Sequence, residues 1–260
     1  MGITATVNYH VHRTAPQAFE FDVDGIAGNL ISPELVNSQV FVKDLRDGQC
    51  SVAFEQDGIT FVHAPSIESE FASSNSWQPA YDNQISALLT EQIGAKDVLV
   101  FDHTVRIDDG KATRKPARNV HNDYSPLGAN QRLIDLLGIE KAQEYQRGHY
   151  AFVNVWRPVE YVIASSPLGF IRPSTMDPED WMTIELIYPD RKGQILGVAE
   201  NPAHEWFYLS SMTPDEVAIF NIFDNQGRSH LAHSALDVVG QLESPHPRKS
   251  IETRTLVRYD

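Results

Sequence analysis

Apolar and polar residues alternate with a period of two along much of this chain, the signature of half-buried strands. TATVNYHV (4–11), SQVFVKDL (38–45) and ITFVHA (59–64) are three early examples, and Asp-Gly pairs at 24–25, 47–48 and 57–58 mark turns around them. The period then changes. In AYDNQISALLTEQI (80–93), Ile85, Leu88, Leu89 and Ile93 recur at helical spacing, and Gly94 follows as a stop signal. DVLVFDHTVRI (97–107) reads as a strand again. A second helix is expected over about 126–147, with Ser125 as N-cap, Pro126 at the first helical position and an apolar side of Leu133, Ile134, Leu137 and Ile139. From residue 150 onward strands dominate: YAFVNVWRPV, WMTIELIY, QILGVAE, EWFYLSS, EVAIFNIFD and SIETRTLVRY. Thr213 and Glu216 have the spacing of a capping box, but the residues after them read as strand. Many short strands and two helices predict a mainly β fold: a double-sheet sandwich or jelly roll with helices packed outside. The regular strand–helix alternation of a parallel α/β sheet is missing.

Composition narrows the function. The chain has 260 residues, enough for one large domain or two small ones, and its 42% hydrophobic content is that of a folded protein. A formal net charge of −14 argues against nucleic acid or an anionic membrane as partner. One cysteine, Cys50, rules out an internal disulfide and Cys-rich metal sites. MGITATVNYH has no signal-peptide pattern, and no window approaches a membrane span. Gly2 and Thr6 match the myristoylation pattern, but no polybasic cluster backs it, so an unmodified strand is the expectation. A cytoplasmic protein acting on a small molecule is expected. No Gly-rich phosphate loop follows a strand, and the sequence gives no oligomeric state.

The candidate chemistry lies in NVHNDYSP (119–126). His121 and Asp123 stand two apart, so at a strand end both point the same way. The spacing is weak alone, since a chain with 10 histidines and 35 acidic residues throws up such a pair by chance. Two histidines and one carboxylate on one face of iron(II), with open positions opposite, are the ligand set of oxygen-activating enzymes. The second histidine must come from far downstream, from His204, His230, His233 or His246. His233 is the choice, because Ala232, Ser234 and Ala235 leave room around it. Arg248 lies one strand later with Ser250 beyond it, and an arginine fork suits a cosubstrate carboxylate.

Seven segments in order then resemble one family: FDHTVR (101–106), NVHNDYS (119–125), FVNVWRPV (152–159), PLGF (167–170), HEWFYLSSMTPDEVAIFNIFD (204–224), AHSAL (232–236) and PRKSIETR (247–254). They are similar to the non-haem iron, 2-oxoglutarate-dependent oxygenases typified by the gibberellin desaturase and the cephamycin methoxylation protein. The resemblance implies a distorted double-stranded β-helix braced by helices 80–93 and 126–147. It implies one oxygenase domain over 1–260, with 1–95 as an N-terminal elaboration and 96–260 as the core. It places the iron ligands on His121, Asp123 and His233, and the cosubstrate on Arg248 and Ser250, with Asn154 beside them and Arg157 as either a second anion holder, for cosubstrate or substrate, or a structural ion pair. Tyr124, Trp156, Trp206 and Tyr208 are pocket-wall candidates. Leu236 departs from the pattern, standing where many relatives carry an aromatic. The implied reaction is hydroxylation or desaturation of a specialised metabolite, with 2-oxoglutarate decarboxylated to succinate and O2 consumed. An iron oxidase or cyclase needing no 2-oxoglutarate, and a jelly-roll binding module without turnover, remain alternatives.

Overall fold

The computed structural model describes residues 1–26, 28–69, 71, 75–240 and 244–260. In chain order its first strands are β1 (Gly2–His10), β2 (Gln17–Phe21), β3 (Leu30–Ile31) and β4 (Leu35–Asp44), followed by α1 (Phe54–Asp57), β5 (Ile59–His63) and α2 (Gln78–Ile93). Then come β6 (Asp97–Ile107), β7 (His121–Asn122), α3 (Pro126–Leu137), α4 (Ile139–Arg147), β8 (Tyr150–Pro158) and β9 (Leu168–Ile171). The remainder is strand: β10 (Trp181–Ile187), β11 (Lys192–Val198), β12 (Trp206–Tyr208), β13 (Glu216–Asp224), β14 (His233–Ala235), β15 (Asp237–Val238) and β16 (Lys249–Arg258).

Two sheets result. The larger runs β15-β1-β4-β12-β9-β14-β7-β11-β10-β2-β3 and the smaller β5-β13-β8-β16-β6. A core shared by both lies between them: Leu168, Phe170 and Phe207 of the larger sheet meet Phe152, Trp156 and Phe220 of the smaller. The period of two on β8 decides what faces what. Phe152 and Trp156 point into this core, whereas Val153 and Val155 point to the opposite face, where Tyr81, Ile85 and Leu89 of α2 cover them. Each such buried side chain is worth roughly 1.5–3 kcal/mol, so α2 is held by its packed face. A third cluster, with Val7, Tyr9, Val120 and Trp206, lies on the outer face of the larger sheet.

The N-terminal segment is woven into the larger sheet: β1 pairs with β4 over nine residue pairs from Gly2↔Lys43 to His10↔Leu35, and β4 pairs with β12. The helix expected over 126–147 is two helices. Ser125 caps α3 by accepting from the Gly128 N–H at 3.0 Å, but Gly138, at φ 75° and ψ 163°, breaks the run. Ile139 is consequently 65% exposed rather than part of the apolar side. Thr213 and Glu216 do bond, N–H to Oε2 at 2.9 Å, yet a strand follows, as the sequence pattern indicates.

Candidate metal centre

β7 is two residues long, wedged between β11 and β14. Its pairing with β14 sets His121 directly opposite His233, with ring centroids 4.5 Å apart. Asp123, two residues beyond His121, turns its carboxylate to the same side. Its Oδ1 lies 3.4 Å from His121 Nε2 and 4.0 Å from His233 Nε2. One ligand atom from each of the three lies within 4.8 Å of the others.

Every other polar atom of the trio is already engaged. His121 Nδ1 donates to the Asn119 carbonyl at 2.8 Å, and His233 Nδ1 to the Leu231 carbonyl at 3.0 Å. These bonds fix the tautomer that leaves each Nε2 lone pair free, the usual outer support of a metal-binding histidine. Oδ2 of Asp123 accepts from Asn154 Nδ2 at 2.9 Å and from Arg254 Nε at 3.0 Å. Only Oδ1 is left. Two imidazole nitrogens and one carboxylate oxygen therefore converge with no other group competing for them among the described residues, and this donor set fits iron(II) with open positions. Burial works to raise the Asp123 carboxyl, but Arg254 and the two imidazoles outweigh it and hold it well below the usual carboxylate range. Burial, and then the neighbouring His121, lower the His233 imidazole to about 3.

A small cleft adjoins the trio, lined by His121, His233, Trp156, Glu252, Arg106 and Arg248 among others, with a volume of about 20 Å³. Arg248 is buried, stands 5.2 Å above the Trp156 ring, and bonds the Ser166 carbonyl at 2.6 Å and Ser250 Oγ at 3.3 Å. Its Nε has no partner among the described residues. Burial, and then nearby Arg106, lower the guanidinium to about 9. Ser166 is itself clamped: its hydroxyl donates to Asp108 Oδ2 at 2.5 Å and accepts from Arg118 at 3.0 Å.

Asn154, Trp156, Arg248 and Ser250 thus lie at or beside the trio. Tyr124 lies among the aromatics next to it, 5.0 Å from Phe152. Arg157 does not join them. One step along β8 from Trp156, it faces the opposite side of the sheet, donating to the Ala64 carbonyl at 2.9 Å and standing 5.6 Å from the Tyr81 ring. Trp206 and Tyr208 are likewise turned away, because Phe207 between them takes the inward position. Trp206 bonds Tyr9 OH at 2.8 Å in the outer core. Of the other histidines, His204 bonds Asp180 at 2.9 Å and Tyr9 OH at 3.0 Å, and His246 stacks on Tyr161 at 3.9 Å. Arg254 is the participant that sequence reasoning undervalued. Its Nη1 bonds Asp102 at 2.7 Å and its Nη2 meets Glu252 at 2.5 Å, which makes it a bridge from two further carboxylates to Asp123 of the trio. The signal was present: Ser250, Glu252 and Arg254 occupy alternate positions on β16, with Arg248 two residues before Ser250 in the same register.

A family profile described as oxidoreductase/YMDC permease-like domain matches residues 8–258. Among the described residues no helix is long and apolar enough to cross a membrane. A protein of Hormonema carpetanum named hydroxylase/desaturase efuI is 29% identical over 251 residues, 85% of this chain and 83% of its own length. The gibberellin cluster GA4 desaturase of Gibberella fujikuroi is 24% identical, over 97% of this chain and 94% of its own. The solved structure of the iron and alpha-ketoglutarate-dependent endoperoxidase NvfI superposes with a TM-score of 0.86 at 22% identity, covering 99% of this chain and 98% of that one, a likeness of fold. Matched by the profile over residues 8–258, the chain belongs to the oxidoreductase/YMDC permease-like family, among relatives named as hydroxylases, desaturases and alpha-ketoglutarate-dependent dioxygenases.

Proposed function

We propose that this protein is an iron(II)- and 2-oxoglutarate-dependent oxygenase that hydroxylates or desaturates a small specialised metabolite. The observation that carries the reading is the convergence of His121 Nε2, His233 Nε2 and Asp123 Oδ1, each freed for a metal by bonds to its companion atom. The names of the relatives point to the same chemistry. The two facing sheets are then a distorted double-stranded β-helix, and all 260 residues one oxygenase domain. The single cysteine suits the cytoplasm.

His121, Asp123 and His233 would hold the iron, which with O2 and 2-oxoglutarate supplies an oxidant able to attack an unactivated carbon. The chain's own part is positioning. Arg248 and Ser250 bind the distal carboxylate of the cosubstrate, the guanidinium gripping it with its unpartnered Nε edge. The cleft that Arg248 and Trp156 line is small, about 20 Å³. Trp156 and Leu168, both lining the cleft, then keep water from it.

An anaerobic titration tests this. Iron(II) followed by 2-oxoglutarate should give the weak visible charge-transfer band of the chelate, and Asp123→Ala or His121→Ala should abolish it while far-UV circular dichroism is unchanged. Iron binding without the band would support an oxidase that needs no 2-oxoglutarate. No iron binding by the unaltered chain would sink the reading.

A further inference from the structure

A second, larger pocket lies against the ligand-bearing segments, with a volume of about 440 Å³. That is within the usual range of small-molecule sites. Among the described residues it shares no lining residue with the cleft beside Arg248. Its position is fixed by covalent and backbone links to the metal centre. Tyr124, in its wall, is the residue after Asp123, so their Cα atoms are about 3.8 Å apart. Leu196 is the β11 partner of Asn122, and the Ile222 carbonyl accepts from Asn122 Nδ2 at 2.9 Å. His230 stands three residues before His233. The ligand segments therefore run between two compartments of different character.

The chemistry of this wall selects its occupant. Met176, Trp181, Leu196, Ile222 and Phe223 supply apolar surface. The charged groups present are already paired. Asp224 accepts from His149 at 2.9 Å and lies 3.6 Å from Arg228, and Arg228 bonds Glu55 at 2.8 Å. Two polar atoms of the lining are buried with no hydrogen-bond partner among the described residues: Arg228 Nη1, whose charge Asp224 and Glu55 already offset, and His230 Nε2. The ring is set by Trp181, 4.9 Å away between centroids. Burial favours its neutral form. A buried imidazole nitrogen without a partner costs about 1–3 kcal/mol, a penalty that a ligand oxygen would relieve.

We infer that this pocket binds a neutral, largely apolar molecule bearing one hydroxyl or carbonyl oxygen that meets His230 Nε2, and that it is the substrate compartment beside the metal. The second clause rests on the oxygenase reading; the first does not. A dianion such as 2-oxoglutarate would meet Asp224 here as well as Arg228, a cation already paired with Asp224 and Glu55, so charged cosubstrate and neutral substrate are sorted to opposite sides of the ligand segments.

The probe is Prodan, a neutral naphthyl ketone whose emission brightens and shifts to the blue in apolar surroundings. With the full-length protein, saturable blue-shifted emission is expected. It should be lost in Met176→Trp, which fills the pocket, and weakened about tenfold in His230→Leu, which removes one hydrogen bond. Excess 2-oxoglutarate should not displace it. Cobalt(II) at the triad should quench the bound probe where zinc(II) does not, because quenching needs proximity. Displacement by 2-oxoglutarate, or binding indifferent to both substitutions, would overturn the inference. Equal emission with cobalt(II) and zinc(II) would overturn the placement beside the metal. A missing iron–2-oxoglutarate band together with intact, substitution-sensitive Prodan binding would remove the oxygenase reading and leave the binding site standing.

Discussion

The Arg254 guanidinium donates Nε–H to Oδ2 of Asp123 across 3.0 Å, while Oδ1 of the same carboxylate faces the two histidines. The bond orients the carboxylate, makes it a one-oxygen ligand and neutralises part of its charge. Arg254 is in turn held by Asp102 at 2.7 Å and Glu252 at 2.5 Å. A lysine keeps the charge but not the fork that reaches three carboxylates in a fixed geometry. Arg254→Lys should lower cobalt(II) affinity of the metal-free protein by about 10–100-fold, the usual effect of losing such an outer partner. A cobalt titration read by visible absorption checks it. Unchanged affinity would mean that Asn154 alone orients Asp123.

Arg248, just before β16, and Arg157, on β8 opposite Ile251, point to opposite sides of the smaller sheet. Arg248 lines the cleft beside the trio, and Arg157 is packed under α2 against Tyr81. Arg248→Ala should raise the 2-oxoglutarate concentration needed for half-maximal turnover at least tenfold with little change in melting temperature. Arg157→Met should do the reverse, lowering the melting temperature and leaving the cosubstrate requirement alone. Steady-state kinetics with a thermal melt on each variant decides it, and the opposite pattern would exchange the two assignments.

What the sequence revealed, and what it hid, follows from the range of the interactions. His121 and Asp123 were legible because a strand period of two is local. His233 was chosen on the small residues around it, and its opposition to His121 depends on a β7–β14 pairing between segments 112 residues apart in number. Alternation is enough to turn Arg157 away from the cleft, because Trp156 faces it. Trp206 and Tyr208 are turned away for the same reason, with Phe207 holding the inward position. The break at Gly138 is local, yet apolar spacing continues through it, and the periodicity concealed the stop. The contact of Arg254 with Asp123 spans 131 residues, and no local pattern announces it.

One turn glycine carries a close approach. Gly58 ends α1 at φ +71°, and a Cβ there would stand 2.1 Å from the Ser229 carbonyl oxygen. Both the backbone conformation and the neighbouring backbone exclude a side chain. Gly58→Ala should destabilise the fold by about 1–3 kcal/mol, seen as a lower urea midpoint. Because Ser229 and His230 also line the larger pocket, the same variant should weaken Prodan binding. A stability unchanged within error would show that the 229–230 segment gives way freely.

Acid stability should depend on Asp180. Burial alone would raise this carboxyl, but bonds from Asn201 at 3.0 Å, the Asp177 backbone N–H at 2.7 Å through its capping box, and His204 at 2.9 Å together hold it below the ordinary value of 3.8. A carboxyl whose folded-state value is depressed binds protons less readily folded than unfolded. Its contribution is therefore complete above about 3.9 and disappears as pH falls through the lower, folded-state value. The location gives this a structural consequence, since Asp180 ties the start of β10 to His204 and, through His204, to Tyr9 in the outer core. Melting temperature measured between pH 2 and 6 should fall through that window, and Asp180→Asn should be less stable at pH 6 with a flatter acid limb. An acid limb of equal steepness in both proteins would assign the pH dependence to other carboxylates, with Asp123 the first to examine.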